Sequence, residues 1–406
     1  MDTDADPLPR VPTATCSGPL GQHFPEPGPV RYLPGEDGGV GRWIVTRYAD
    51  VVAALTDPRL SNKSYAAADP TSHEPNDQLG WSMVAADPPD HTRLRKQVVR
   101  AFSAKQVETL RPRVQRIVDE LLDAVAVSDE IDLVETFVFP LPVRVICHIL
   151  GIPRTACDRL LDAAHTAEVP AAGVPLECAE NVLREVIDDR HARRTDDLLG
   201  GLVTARNNHK LSDTEVLELA RLLFVSGHLT TVTLISHGIA ALLDDPELRA
   251  LLRDSPAHVS SMVDELLRCA GPVPSVPRYA VEDVDIGGAV IPGGSYVAVM
   301  LMSANHDPIT FTDPHAFDIH RRTRDDVAFG HGIHFCLGAR LAKMEAELAL
   351  GTLVGRFPDL APAGPAPDDR PLSLRVHLHG HGNGGTAPPD RASRISKNTY
   401  RGDDRG

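Results

Sequence analysis

The longest uninterrupted apolar pattern runs from Asp213 to Leu243, with no proline until Pro246. Read as one helix at roughly 1.5 Å per residue it spans about 45 Å, the width of a domain, so it is expected to cross the core. Ser212 with Glu215 gives a capping-box pattern at its start, and Ser103 with Gln106 gives another. Val107, Leu110, Val114, Ile117 and Leu121 form a helical stripe after the second box, and Leu337, Leu341, Met344 and Leu348 form one near the end. Residues 132–150 make a further apolar segment closed by Gly151-Ile152-Pro153, and residues 176–205 are helical in character. Asp50 to Leu55 reads as a short helix, Asp87-Pro88-Pro89-Asp90 opens another, and Asp245-Pro246-Glu247 starts a third with proline at its first position. Strand signals are few: Trp43 to Thr46, the alternation after Arg278, and Leu374 to His379. The pattern predicts a mainly α protein with small β-sheets.

Prolines from Pro7 to Pro29 interrupt any hydrogen-bond ladder, so residues 1–30 read as an irregular arm before a single domain over 31–380. Residues 381–406, rich in Gly, Pro and charge, read as a disordered tail. Residues 61–86 read as a long polar loop carrying Trp81, Met83 and Val84, and residues 164–175 as a weakly structured link between mobile helices.

Composition narrows the function. A hydrophobic share of 42% over 406 residues is ample for a large core, and the net charge of -15 argues against general nucleic-acid binding. Cysteines at 16, 147, 157, 178, 269 and 336 contain no CxxC pair, so neither a zinc ribbon nor a disulfide framework is expected, and reduced thiols are. The acidic, proline-rich start lacks the basic residues and apolar run of a signal peptide or membrane anchor, which points to a cytoplasmic protein.

Two places break local rules. Inside the long helix, Val225 to Thr233 combines Gly227 with β-branched residues that helices tolerate poorly, a usual mark of function. Ser226, Thr230, Thr233 and His237 share one face there, although hydroxyls at such positions also bond back to the preceding turn. Near the end, Cys336 lies between a glycine-rich loop and an amphipathic helix. Gly330, Gly332 and Gly338 allow positive φ or close approach of a flat ligand. Free N–H groups and the helix dipole favour a thiolate at Cys336, though a lone cysteine is more often a small buried hydrophobe.

The run Phe329 to Gly338 fits FGxGxHxCxG and resembles the haem-binding loop of the cytochrome P450 family. The resemblance spans about residues 43–360 in the family's motif order. It implies the P450 fold, with haem b buried between the threonine-containing helix and the cysteine helix, and Cys336 as axial ligand of the iron. Phe329, Gly330, His334 and Gly338 would line the cofactor. His91 and Arg95, an HxxxR pair, and Arg278 would reach its propionates. Glu265 and Arg268 form the ExxR pair, with Arg321 or Arg322 as third member. Ser303 to Pro308 resembles AANRDP, with His306 in place of Arg. On the opposite side Ser226, Gly227 and Thr230 match the oxygen-binding segment, while Leu229 stands where the family has an acid.

By the same resemblance the chain is an O2-activating oxidoreductase acting on an apolar small molecule, most often by hydroxylation, in secondary-metabolite biosynthesis. Electrons would come from NAD(P)H through a ferredoxin reductase and a ferredoxin, which would dock on Arg93, Lys96, Arg100, Arg340 and Lys343. Nothing in the reading calls for nucleic acid or membrane. Leu229 leaves open oxidative coupling or ring formation without oxygen insertion. A haem sensor without turnover is the distant alternative.

Overall fold

The computed structural model describes residues 24–35, 40–63, 83–126, 130–165, 174–323, 325–364 and 374–378. Most of the long polar loop, the link at 166–173, the first 23 residues and the tail after 378 fall outside them.

Within the described residues the chain runs β1 (Arg31–Leu33), β2 (Arg42–Val45), α1 (Tyr48–Thr56), β3 (Leu60–Ser61), α2 (Asp90–Val98), α3 (Ala104–Val125), β4 (Glu130–Asp132), α4 (Pro140–Leu150), α5 (Arg154–His165), α6 (Leu176–Ala192) and α7 (Leu198–Asn207). It continues through α8 (Asp213–Asp244), α9 (Pro246–Asp254), α10 (Val259–Ala270), β5 (Val276–Ala280), β6 (Val284–Ile286), β7 (Ala289–Ile291), β8 (Tyr296–Val299), α11 (Leu301–Asn305), α12 (Ala339–Arg356), β9 (Ala361–Pro362) and β10 (Arg375–His377).

The mainly α reading holds. α8 is continuous over 32 residues, and both halves of its capping box form: the Glu215 N–H donates to Ser212 Oγ at 3.1 Å, and the Ser212 N–H to Glu215 Oε2 at 2.8 Å. It is long and apolar enough to cross a membrane, but 61% of its apolar window is enclosed by protein. α4, α6, α10 and α12 pack around it, so it serves as the core helix. At Asp245 one carboxylate oxygen accepts from Glu247 N at 3.0 Å and Leu248 N at 2.9 Å, starting α9.

Other expectations need correction. Ser103 stands at the start of α3 but its side chain makes no cap hydrogen bond, so that capping box does not form. The apolar run 132–150 divides into the end of β4, a π-helical turn over Val134–Val138, and α4. Part of the expected arm is built in: Phe24 stacks 4.5 Å from His306, the Pro25 carbonyl accepts from Ser303 Oγ at 2.5 Å, and Gly28 bonds Thr46 both ways. Cys269 is disulfide-bonded, against the expectation of uniformly reduced thiols; Cys147, Cys157, Cys178 and Cys336 are free.

A five-stranded sheet in the order β1-β2-β8-β5-β3 flanks the helices, with β2 and β8 parallel and the other pairs antiparallel. Two apolar clusters follow, one among the helices and a smaller one between α1 and this sheet. β5 carries Arg278, whose side chain is buried.

Candidate functional site

The cysteine loop is held from below by a buried ionic knot. On α10, Glu265 and Arg268 are fully buried, and the carboxylate takes the guanidinium fork at 2.8 Å on each oxygen. Arg268 also donates to the carbonyls of Asn305 and Pro314 at 2.8 Å, and Arg321 Nε donates to Glu265 Oε1 at 3.1 Å. The third member is thus Arg321; Arg322 is exposed. Asn305, beside the knot, accepts the Val327 N–H at 2.8 Å and so fixes the entry to the loop. Sequence reading gave no role to Asn305.

Within the loop, Gly330 and Gly332 adopt φ of +71° and +75°, values that L side chains rarely take. Gly338 has φ -87°, so its value is space rather than conformation. A Cβ built on Gly330 or Gly338 would meet nothing within 4 Å. The Cys336 N–H donates to the Phe329 carbonyl at 2.9 Å, closing the loop on itself. The thiol opens onto space that solvent enters, yet protein hems it in on most sides. Desolvation therefore raises its pKa, while the N–H groups of Gly338 and Ala339 and the charge of Arg95 pull the other way. The N–H donors expected at the helix start are in place, and burial of the thiol opposes them.

Four basic residues gather beside this space. Arg95 Nη2 donates to the Phe335 carbonyl at 2.7 Å, and the His91 and His334 rings lie 4.2 Å apart. Arg278 is buried and donates Nη1 to the Pro277 carbonyl at 2.8 Å. Burial depresses all four, the histidines also by neighbouring cations: His334 falls to about 3 and Arg278 to about 10. Among the described residues Asp87 is the one carboxylate that offsets His91, His334 and Arg278. Its own oxygens are engaged by Ser61 Oγ and the Asn62 N–H, a partnership the sequence did not reveal. His91 Nε2 is buried without a partner. Two guanidiniums and two imidazoles with little offsetting negative charge among the described residues, an orphaned ring nitrogen and glycines facing open space fit a flat, dianionic ring beside a sulfur ligand.

α8 carries the other set. Ser226, Leu229, Thr230, Thr233 and His237 lie on its less buried face, whereas Thr231 is buried. Each hydroxyl on that face bonds back: Ser226 Oγ to the Leu222 carbonyl, Thr230 Oγ1 to Ser226 at 3.0 Å, Thr233 Oγ1 to Leu229 at 3.2 Å. Thr230 bonds back as Ser226 and Thr233 do. Its O–H is committed to the turn above, so the lone pairs are what it offers outward. His237 instead reaches across to the Ala270 carbonyl of α10 at 2.9 Å.

Matches to known proteins agree with this geometry. Residues 257–374 match the family described as Cytochrome P450. The chain is 41% identical over 370 residues to the cytochrome P450 monooxygenase PikC of Streptomyces venezuelae, covering 89% of this chain and 86% of that one. The chain belongs to the cytochrome P450 family. Among solved P450 structures it resembles the mycinamicin VIII C21 methyl hydroxylase MycCI of Micromonospora griseorubida (TM-score 0.76, 34% identity, 87% of this chain and 93% of that one). It also resembles the P450 CxnD for C–S bond formation in chuangxinmycin biosynthesis (TM-score 0.73, 32% identity, 85% and 90%). The P450 assignment makes the protein a haem-thiolate oxidoreductase of the monooxygenase class, with haem b as cofactor and a cysteine as its axial ligand.

The expected docking patch is smaller than its five residues. Arg93 is ion-paired with Glu215 at 2.5 Å, and Lys343 with Asp264 at 2.5 Å. Lys96, Arg100 and Arg340 remain exposed.

Proposed function

We propose that the chain hydroxylates an apolar small molecule as a tailoring step in secondary-metabolite biosynthesis, with Cys336 as the iron ligand. The observation that carries this reading is the convergence of His91, Arg95, Arg278 and His334 beside the Cys336 thiol. When bound, haem supplies the O2-activating chemistry, to which a thiolate ligand donates electron density. The protein's residues do the rest. Gly338 and Ala339 N–H groups donate to the sulfur and hold its negative charge. The four basic residues would hold the propionates, and Phe329 and Gly330 would shape the wall of the hollow. Across from it, Thr230 accepts a hydrogen bond from water at the reacting face, next to Gly227. Leu229 cannot exchange a proton, so protons arrive through water held along Ser226, Thr230 and Thr233.

Electrons come from NAD(P)H through a ferredoxin reductase and a ferredoxin, the latter meeting the exposed Lys96, Arg100 and Arg340. Likeness to the methyl hydroxylase MycCI supports oxygen insertion. Leu229 supports a second reading, oxidative coupling, the class to which C–S bond formation by CxnD belongs.

The reduced CO complex tests the site. A strongly red-shifted Soret band is expected for the wild type and its loss for Cys336→Ser with the fold retained by circular dichroism; a red-shifted band in Cys336→Ser would refute the assignment. A binding-spectrum screen of apolar metabolites, followed by product analysis of wild type and Leu229→Glu, separates the two reactions. Hydroxylation by both enzymes supports the first reading; a coupled product from the wild type that gives way to hydroxylation in Leu229→Glu supports the second.

A further inference from the structure

Arg93 sits on α2 between His91 and Arg95 yet points to the start of α8. Its Nη2 donates to Glu215 Oε1 at 2.5 Å and to Asp90 Oδ1 at 3.4 Å, and its Nη1 to the Lys210 carbonyl at 3.1 Å. Glu215 is the residue whose second oxygen, Oε2, accepts the Ser212 N–H to close the α8 capping box. One carboxylate therefore joins two helices. α2 holds the residues assigned to the propionates, and α8 holds Thr230.

We propose that the Arg93–Glu215 pair is a positioning link that sets where the middle of α8 stands relative to the haem. It rests on the reading above, that α2 grips the haem edge and α8 faces its reacting side. A helix is stiff along its axis, so a tilt or slide fixed at Glu215 is carried along the rod to Thr230, about four turns on. The pair is 41% and 29% exposed at its two side chains, which limits its part in stability. Its effect belongs in geometry: small misplacements at a reacting centre are costly where global stability hardly changes. Arg93 brings together a carboxylate and a carbonyl with a planar fork that lysine cannot reproduce.

The test uses haem-loaded wild type and three variants: Arg93→Met, Glu215→Gln and Ser212→Ala. Ser212→Ala removes the cap bond from the Glu215 N–H but leaves the ion pair. Haem content, thermal midpoint and the infrared C–O stretching band of the reduced CO complex are measured for each, together with hydrogen exchange of the α8 amides around Thr230. Arg93→Met and Glu215→Gln are expected to keep haem and nearly all thermal stability, to shift or split the C–O band, and to speed exchange near Thr230. Ser212→Ala is expected to lower the midpoint with the band unmoved. A wild-type band and wild-type exchange in Arg93→Met would overturn the inference. So would a band shift in Ser212→Ala equal to that in Arg93→Met, since fraying of the cap would then explain both. A wild type without a thiolate-type CO spectrum defeats the functional reading itself, and the link with it.

Discussion

Glu345 shows how strongly one residue's surroundings decide its chemistry. It lies on α12, 1% exposed, its Oε2 without a partner, and burial alone drives its pKa well above the carboxylate range. With its folded value raised above the unfolded one of about 4.3, it contributes stability at low pH that is lost as pH rises. Glu345→Gln removes that dependence. The variant is expected to gain roughly 1–3 kcal/mol at pH 8, the scale of an unsatisfied buried polar group, and nothing at pH 4. Chemical denaturation at the two pH values checks this. Thr230 and Thr231 make the complementary case, adjacent in sequence but on different faces. Thr230→Ala is expected to divert reducing equivalents to peroxide at unchanged stability, whereas Thr231→Ala leaves coupling intact; peroxide yield per NAD(P)H separates them.

At the scale of elements, the α10 knot shows a pairing whose worth depends on its setting. An i, i+3 Glu-Arg pair on an exposed helix contributes a few tenths of a kcal/mol. Here both partners are fully buried and Arg268 spends its remaining donors on loop carbonyls that lead to the cysteine. Arg268→Ala leaves Glu265 without its closest cation, and the expected loss is about 3–5 kcal/mol together with most of the bound haem. Denaturant midpoints and the haem-to-protein ratio measure the two effects. An intact haem ratio in Arg268→Ala would separate the knot from the loop. α8 is the other governing element: its cap, length, apolarity and passage through the core were legible, but which helices enclose it was not.

For the whole molecule, pH links several buried histidines. His228 and His306 are held at about 4 by burial, and His237 is lowered for the same reason. A base with a depressed folded value binds fewer protons folded than unfolded. Its stability contribution is therefore complete above about pH 6.5 and falls as pH drops below that. The haem-free protein is expected to lose thermal midpoint steadily from pH 6.5 down to 4. His306→Gln is expected to flatten part of that slope; calorimetry over this range provides the comparison.

Sequence alone determined the mainly α class, the long capped helix and the glycine-cysteine loop, and the residues expected around that loop followed from its resemblance to the P450 family. These are carried by period, caps and short motifs, which act over a few neighbouring positions. Tertiary structure decided what long-range packing controls. It chose Arg321 over Arg322, drew Arg93 and Lys343 into ion pairs, committed the Thr230 hydroxyl to its own helix, and set burial against the N–H donors at Cys336. Asp87, Asn305 and Glu345 stayed silent in the sequence, because a polar residue's role depends on which distant groups folding brings to it and which waters folding takes away.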